Sequence, residues 1–489
     1  MIILLYATST IALGWYFGRK QETTKEYFVG SGNMNWFLIG VSLFATLLST
    51  ISYLSMPGEV IGKGPVAMVR ILALPITFLV VGYFLVPVYM RQRVTSAYQL
   101  LEERLDLSVR LLGVAMFLCL RLVWMSLLVY LASKALIVMM GVDETYIPWI
   151  VLATGLVSVI YTSLGGLRAV VVTDLIQTIL LFGGALLVLG VVTWAFGCFG
   201  WFPTEWQANW DPQPVFSFDP KVRVTAFGTV LGVVCWYVST AGGDQVSIQR
   251  FMATRDADAA RRAYATQMAV SAVVVVVLFL VGLALLGYFR AHPEWLPEGT
   301  NLRKDADDLF PLFISYHLPP GISGLVVAAM FAAAMSSIDS GVNSITAVVM
   351  TDLLERFGQR PRTEKAYVLA ARLLAFGIGA TIVVGSMFVK NIPGNFMAVT
   401  EKAVNLLVTP IFSLFFFALF VPFARPLGVW AGWFCGTTTA ILIAFSGPIF
   451  GYNPVTGYDP VSFQWIAPSA LTVNITVGLI VSRILSKKS

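Results

Sequence analysis

Thirteen long apolar runs, separated by short polar segments, constrain the fold of this 489-residue chain more than any other feature of its sequence. A helix that crosses a bilayer needs about 20 mostly apolar residues, and in hydrocarbon its backbone must satisfy its own hydrogen bonds. The runs lie at 2–18, 36–55, 69–90, 111–140, 146–164, 169–196, 224–246, 264–289, 320–352, 366–389, 396–423, 427–449 and 464–484. The sequence therefore predicts an all-α membrane protein with thirteen transmembrane helices.

The overall composition supports the same fold class. Charged residues make up only 12% of the chain and hydrophobic residues 57%, whereas soluble domains carry about 25% charged residues. The net charge of +6 does not indicate nucleic acid, because membrane proteins concentrate Lys and Arg on their cytoplasmic side. Four scattered cysteines and two histidines show neither a disulfide framework nor zinc-ligand spacing. We expect the lipid bilayer as a partner and no nucleic acid.

The distribution of basic residues predicts an orientation. The first apolar run carries its positive charges after the run, whereas a signal peptide carries them before it. We therefore expect a retained helix with the N-terminus outside and, after an odd number of spans, a cytoplasmic C-terminus. This arrangement places 20 of the 32 Lys and Arg inside, including Arg168 and Arg250, and eight outside, including Lys63 and Arg70. The bias follows the positive-inside rule and indicates a plasma (inner) membrane protein.

Residues 325–352 contain the polar cluster that points most directly to function. Ser336, Ser337, Asp339 and Ser340 lie near the middle of this otherwise apolar segment. A carboxylate in hydrocarbon costs about 2.5–3.5 kcal/mol on insertion scales, so it is expected to face a partner or a wet cavity. Oxygen ligands at one level of a helix suit a hard cation such as Na⁺. The segment predicts ion-coupled transport.

Four segments together carry a resemblance to a known family. They are TKEYFVGSGNMNWFLIGVSLFATLLS, YTSLGGLRAVVVTDLIQ, GGDQVSIQRFMATRDADAARRA and AAAMSSIDSGVNSITAVVMTD. The chain resembles the sodium/solute symporter family, which includes sodium–glucose, monocarboxylate, multivitamin and sialic acid transporters. The resemblance implies a secondary active transporter and no enzymatic activity.

The resemblance also implies a domain organisation. The family fold is a five-plus-five inverted repeat of the leucine-transporter type, and here its core would run over 36–423. Residues 1–35 would form an extra N-terminal helix with a cytoplasmic loop, and 424–489 would form two C-terminal helices.

A main Na⁺ site is implied by the family between the first and eighth core helices. Interrupted helices free backbone carbonyls for ion coordination at the membrane midplane. The motif positions that match are Ala45, Leu48, Ala333, Ser336 and Ser337. Ala333 and Ser337 are four residues apart, so they share a helix face. The alternative interpretation of these serines is a small-residue interface between helices.

A second Na⁺ site is implied by Asp174, which matches an acid that some family members use. Its further ligands would be Ser336, Asp339 and Ser340, and one or two coupling Na⁺ ions are therefore expected. This chain has Asp339 where some members carry serine or alanine. Two nearby carboxylates resist joint ionisation, so either a second Na⁺ neutralises them or one acid holds a proton. Alternatively, Asp174 is a helix-end acid paired with Arg168.

The expected solute is a small organic anion. Arg121 and Lys402 lie deep in apolar spans, and an Arg–carboxylate pair is frequently bidentate. Ser52 replaces the polar group of sugar-transporting members, while Tyr237 and Thr240 precede a Gly-Gly break and are placed to line the pocket. In the alternative interpretation, Arg121 pairs with an acid on an adjacent helix, and Lys402 pairs with Glu401 or Asp339.

These observations predict a sodium-coupled symporter that imports a small, carboxylate-bearing solute by alternating access. A symporter of a neutral sugar or polyol is the alternative within the same class. A channel is the alternative from another class, and it would need a continuous pore lined by carbonyl or charge rings. The H-E-x-x-H and G-x-S-x-G motifs of hydrolases are not present in the sequence.

Overall fold

A computed structural model describes residues 2–19, 23–92, 96–212, 214–319, 321–389 and 396–486. Every regular element in these ranges is helical. Five basic residues that contribute to the predicted orientation lie outside them, namely Lys20, Arg93, Lys390, Lys487 and Lys488.

The helices follow the apolar runs of the sequence. The first ten are α1 Ile2–Gly18, α2 Thr24–Val29, α3 Trp36–Leu47, α4 Thr50–Lys63, α5 Ala73–Val80, α6 Val86–Gln92, α7 Gln99–Arg104, α8 Leu107–Met140, α9 Ile147–Ala195 and α10 Ala226–Gly243. The others are α11 Gln245–Met252, α12 Ala257–Ala291, α13 Ala306–Tyr316, α14 Ile322–Val348, α15 Glu364–Met387, α16 Phe396–Phe420, α17 Pro426–Ala444, α18 Ser446–Phe450 and α19 Ile466–Ser486. Short 3₁₀ and π-helical segments extend them at Pro65–Leu72, Val81–Leu85 and Val349–Glu355.

Ten helices in the described part of the chain are long and apolar enough to cross a bilayer, and the bent pair α3–α4 gives an eleventh candidate. The two spans predicted at 146–164 and 169–196 both lie within α9, whose 49 residues comprise two helices that meet at a kink at Gly166, where the backbone is not helical. The φ of Gly166, 56°, lies in the left-handed region that favours glycine. Helix α1 has 17 residues, one fewer than the shortest of the ten. Thirteen spans therefore stay a prediction.

Two helices are interrupted in the middle of the protein. Helices α3 and α4 meet at an angle of 65°, and Leu48 and Ser49 between them are extended. Helices α10 and α11 are separated by the extended residue Asp244. Just before this second break, a Cβ on Gly243 would lie 2.8 Å from backbone atoms of Phe412. Glycine there lets α16 approach the break closely.

Helix α14 forms the centre around which the interrupted elements pack. It lies against α8, α9, α15 and α3, and 78% of the residues in its most apolar part are buried, the highest share among the ten candidate spans of the described chain. Two hydrogen bonds tie it to the broken pair α3–α4. Thr46 Oγ1 and Ser340 Oγ are 2.9 Å apart, and Thr50 Oγ1 donates to the Met330 carbonyl at 3.0 Å. The first break is therefore held against the middle of α14.

Candidate functional site

The break between α3 and α4 leaves backbone oxygens outside the regular helix pattern. Ser49 caps α4 by accepting the amide of Ser52 at 3.2 Å through its side chain. In a continuous helix, that amide would bond to the carbonyl of Leu48. Ala45 and Leu48 are both buried, at 1% and 6% exposure. These are the carbonyl positions that the sequence predicts as Na⁺ ligands.

Helix α14 carries the two serine hydroxyls of the predicted main Na⁺ site. Ala333, Ser336 and Ser337 are all buried. Ser336 Oγ donates to Asp174 Oδ1 at 2.6 Å, which leaves the lone pairs of its oxygen available to another group. Ser337 Oγ is buried and makes no hydrogen bond within the described residues. Because a buried, unpaired hydroxyl is costly, Ser337 fits a site completed by a bound cation.

Asp174 is the centre of a buried polar network between α3, α9, α11 and α14. Ser42 donates to Asp174 Oδ2, and the Arg250 guanidinium lies 3.5 Å from the same oxygen. Both Asp174 and Arg250 are fully buried. Asp174 therefore pairs with Arg250, and the alternative pairing with Arg168 is not the one that the structure shows.

The buried position of Arg250 corrects the sequence interpretation of this residue as a cytoplasmic-loop cation. A solvated loop arginine would be exposed, whereas Arg250 has no exposed surface. After the break at Asp244, α11 is buried along its whole length. Spacing of charges along a sequence does not reveal that a charged segment next to a span is buried.

The four residues predicted for a second Na⁺ site are only partly brought together. Asp174, Ser336 and Ser340 join one hydrogen-bonded network through Arg250. Asp339 lies outside that network: its Oδ1 accepts from Thr162 Oγ1 at 2.7 Å. The other Asp339 oxygen has no hydrogen-bond partner among the described residues.

A cavity of about 70 Å³ with a mixed polar and apolar lining lies beside the two helix breaks. Its polar lining residues are Thr46, Ser49, Ser52, Ser55, Arg70, Arg121, Thr240, Asp244, Thr400 and Glu401. Trp124 and Trp236 contribute flat apolar surfaces. Of the predicted solute-binding residues, Ser52, Arg121 and Thr240 meet here. Aromatic walls with a few convergent polar groups are typical of small-molecule sites.

Two ion pairs face this cavity. Arg121 on α8 donates to Asp244 at the α10–α11 break, as expected in the interpretation of Arg121 as half of a salt bridge. Arg70 and Glu401 form a looser pair, with 3.7 Å between Nη2 and Oε1. Arg121 Nε is nevertheless a buried donor without a partner among the described residues. Arg121, a permanently charged residue of the cavity lining, therefore keeps one unused hydrogen-bond donor.

Tyr237 and Lys402 are not among the residues that line this cavity. Tyr237 is buried on α10, with its ring 4.5 Å from that of Trp236. Lys402 Nζ lies 2.5 Å from Asp459 Oδ2 and lines a separate cavity with Arg303 and Tyr458. The structure thus pairs Lys402 with neither Glu401 nor Asp339.

The sequence does not mark several polar residues of the cavity as site residues, among them Ser49, Arg70, Asp244, Thr400 and Glu401. The sequence predicts Arg70 in an external segment, and Asp244 stands in the segment GGDQVSIQRFMATRDADAARRA, which carries the family resemblance. The strongest missed signal was the proximity in sequence of Asp244 to the Gly242–Gly243 break, because a broken helix brings neighbouring side chains to the midplane.

Comparison with known proteins identifies the family. The model of the sodium:solute symporter family matches residues 27–436. The chain belongs to the sodium:solute symporter family. Membership makes it a secondary transporter that couples an organic solute to Na⁺, and a multi-pass membrane protein without enzymatic activity.

Individual relatives are similar over most of their length. The sodium/sialic acid symporter SiaT of Proteus mirabilis is 28% identical over 455 residues, which cover 86% of this chain and 84% of the symporter. The sodium-dependent multivitamin transporter of Oryctolagus cuniculus is 28% identical over 499 residues, covering 100% of this chain and 76% of the transporter.

Solved structures confirm the predicted fold. A Na⁺-coupled sialic acid symporter in a substrate-bound outward-open state matches with a TM-score of 0.86 and 26% identity, covering 99% of this chain and 97% of its own. The nucleobase-cation-symport-1 family transporter Mhp1 matches with a TM-score of 0.54 at 11% identity, which shows the fold alone. The sodium:solute symporter fold here is therefore the leucine-transporter type.

Proposed function

We propose that this symporter imports a small organic anion with a carboxylate group, together with Na⁺, across the plasma membrane. The observation that carries this proposal is Arg121, which lines the cavity beside the helix breaks and whose buried Nε has no hydrogen-bond partner among the described residues. Arginine cannot lose its proton, so the donor stays charged and needs an acceptor. A carboxylate oxygen supplies that acceptor with a strong, charge-assisted hydrogen bond.

Other groups in the cavity indicate that the solute also carries hydroxyl or carbonyl oxygens. Thr240 Oγ1 and Thr400 Oγ1 are buried without hydrogen-bond partners among the described residues. Ser49 and Ser52 add two further hydroxyls. A solute with one carboxylate and several polar oxygens would satisfy the unpaired groups, since buried polar groups are normally hydrogen-bonded.

The relatives support the same chemistry. Two of them are sialic acid symporters, and sialic acid is a sugar with a carboxylate. Another is the sodium-coupled monocarboxylate transporter 1 of Homo sapiens, 26% identical over 453 residues. A shared need for a carboxylate anchor is consistent with an arginine in the solute cavity.

We propose Ala45, Leu48, Ala333, Ser336 and Ser337 as ligands of the coupling Na⁺. A cation there would bond to carbonyls at the α3–α4 break and to hydroxyls of α14 at the same time. It would thereby hold the broken pair against α14, next to the solute cavity. If Na⁺ and solute favour the same conformation, each raises the affinity for the other, and this linkage is the basis of symport.

The proposed arrangement in the membrane follows the positive-inside rule. We infer an external N-terminus and a cytoplasmic C-terminus, with residues 36–423 as the inverted-repeat core. Residues 1–35 and 424–489 would then contribute peripheral helices.

A solute panel tests the proposal. Thermal-shift and proteoliposome-uptake measurements would compare sialic acid, gluconate and lactate with glucose and mannitol, each with Na⁺ and with choline. We expect Na⁺-dependent stabilisation and uptake for at least one carboxylate and none for the neutral solutes. Glu401 and the cavity hydroxyls also suit a neutral polyol, so selective uptake of mannitol or glucose would replace the anion proposal with that alternative.

A further inference from the structure

The break between α10 and α11 leaves two backbone carbonyls without helical partners. In a continuous helix, the amides four residues further along would bond to the carbonyls of Gly242 and Gly243. Those amides, of Val246 and Ser247, bond to Asp244 instead, the first to its side-chain Oδ1 at 3.0 Å and the second to its backbone carbonyl at 3.1 Å. Because Gly242 and Gly243 are buried, their carbonyls need other hydrogen-bond donors.

Two tyrosine hydroxyls supply these donors. Tyr89 in α6 donates to the Gly242 carbonyl. Tyr98, just before α7, donates to the Gly243 carbonyl at 3.2 Å. Both tyrosine side chains are fully buried, with 0% exposure. Since a tyrosine hydroxyl donates one hydrogen bond, each tyrosine satisfies one carbonyl of the break.

The surroundings of Tyr98 hold its ring in one position. The ring centroid lies 5.6 Å from that of Phe117 on α8 and 5.5 Å from that of Phe415 on α16. A Cβ on Gly113 would lie 2.9 Å from the Tyr98 ring, so glycine at this position of α8 leaves room for the ring. The hydroxyl of Tyr98 is therefore presented to the break by rigid packing.

The chain segment that carries Tyr98 is fixed at both ends. The Ala97 amide donates to Gln245 Oε1 at 2.9 Å, which adds a second link to the break. Further along, Glu102 in α7 accepts hydrogen bonds of 2.6 Å from both Arg110 and Arg356. These ion pairs connect α7 to the start of α8 and to the segment after α14, so the position of Tyr98 does not depend on the break itself.

The tyrosine bonds determine which groups remain available to Asp244. While the hydroxyls occupy the two glycine carbonyls, the amides of α11 stay with Asp244, and its Oδ2 accepts from Arg121. Without the hydroxyls, the freed carbonyls would compete for those amides, because a buried carbonyl without a donor is costly. The helix would then close across the break, and Asp244 would lose the bond that fixes its orientation toward Arg121.

We propose that Tyr89 and Tyr98 are positioning residues for solute recognition. By bonding to the glycine carbonyls they hold the α10–α11 break open, and they thereby keep Asp244 and Arg121 in place at the solute cavity. The inference rests on the proposed recognition of a carboxylate by Arg121, but it concerns how that arginine is held and not the identity of the solute.

The variant Tyr89→Phe/Tyr98→Phe tests the proposal, since it removes both hydroxyls and keeps both rings. We expect KM for carboxylate uptake to rise roughly 10-fold, with kcat changed little, because the loss falls on solute binding. The neutral amide of the same solute makes no ion pair with Arg121, so its uptake should change far less. A merely structural role would affect both solutes alike, and losses of equal size would overturn the proposal.

A double-mutant cycle tests whether the tyrosines act through the Arg121–Asp244 pair. In the Arg121→Gln/Asp244→Asn background, the two tyrosine changes should cause no further loss of carboxylate uptake, because the groups that they position are already removed. A further loss as large as that in the wild-type background would show that the tyrosines act independently, and would overturn the proposal.

Tyr27→Phe is the matched control. Tyr27 is also buried, at 1% exposure, and its hydroxyl donates to the Ser163 carbonyl at 3.2 Å, the same distance as in the Tyr98 bond. This variant deletes the same kind of bond at a residue that does not contact the break, and should leave KM unchanged. A rise in KM as large as that of the double tyrosine variant would mean that loss of any such buried bond suffices, and would overturn the proposal.

Single variants cover the case in which the double tyrosine variant does not fold. Tyr98→Phe leaves the Gly242 carbonyl bonded, and should raise KM for the carboxylate roughly threefold with little change for the amide. Normal carboxylate uptake by the wild type with an unchanged KM in a folded tyrosine variant would refute this inference alone. Absence of carboxylate uptake by the wild type would refute the proposed function, and with it the role of Arg121 that the tyrosines serve.

Discussion

Replacing Ser337 with alanine is expected to raise the Na⁺ concentration for half-maximal uptake by roughly 10- to 100-fold. Ser337 Oγ is buried and lacks a hydrogen-bond partner among the described residues, so the proposed Na⁺ is the group that it would bind. A hydrogen bond to a charged group contributes about 1.5–3 kcal/mol, and each 1.4 kcal/mol is a factor of ten in affinity. The loss of one neutral oxygen ligand of Na⁺ is expected to cost a binding free energy in the same range.

The control for this variant is Ser133→Ala. Ser133 is also a fully buried serine, but its hydroxyl donates to the Val129 carbonyl within its own helix α8. Its removal deletes the same atom and is expected to leave Na⁺ dependence unchanged. Uptake titrated with Na⁺ at fixed solute measures both variants. An unaltered half-saturating Na⁺ concentration in Ser337→Ala would remove Ser337 from the ion site.

Arg121→Gln combined with Asp244→Asn is expected to lower carboxylate uptake by roughly 100-fold, since the proposed charge-assisted hydrogen bond from Arg121 to the carboxylate is lost. The double variant is preferred because Arg121 and Asp244 form a buried pair. Removal of one partner alone leaves an uncompensated buried charge, which destabilises the folded protein by about 3–5 kcal/mol. A loss of uptake could then result from unfolding instead of weaker solute binding. Asparagine still caps α11, where Asp244 accepts the amide of Val246 at 3.0 Å.

The comparison that separates a binding role from a structural role uses two solutes. Uptake of the preferred carboxylate is measured beside that of its neutral amide. We expect the amide, which makes no ion pair with Arg121, to lose far less in the double variant. Losses of equal size for both solutes would show that Arg121 supports the cavity without recognising the carboxylate.

Much of the helical framework follows directly from apolar length. The run predicted at 111–140 corresponds to Leu107–Met140, and the last run, 464–484, to Ile466–Ser486. The bend in the first core helix was expected from the family resemblance, but its second half extends to Lys63, beyond the predicted end at 55. Hydropathy places the end of α4 too early because the helix contains the charged residue Glu59. Inside the protein this charge is neutralised by Arg223, so the helix continues past it.

Contacts across large sequence separations could not be predicted from one sequence. Lys402 pairs with Asp459, 57 residues later, in a segment that hydropathy marks only as a loop. Arg250 pairs with Asp174, 76 residues earlier, although its neighbours in sequence indicate an interfacial segment. Sequence patterns identify which charges lie in or near a membrane, and tertiary packing decides which partner each one meets.

The most direct test of sodium-coupled symport is uptake of the preferred carboxylate into proteoliposomes under an inward gradient of Na⁺, K⁺ or choline. The Na⁺ gradient is predicted to drive transient accumulation above the external solute concentration, which neither K⁺ nor choline should support. Equal uptake in all three salts, without accumulation, would contradict the coupling of solute entry to Na⁺.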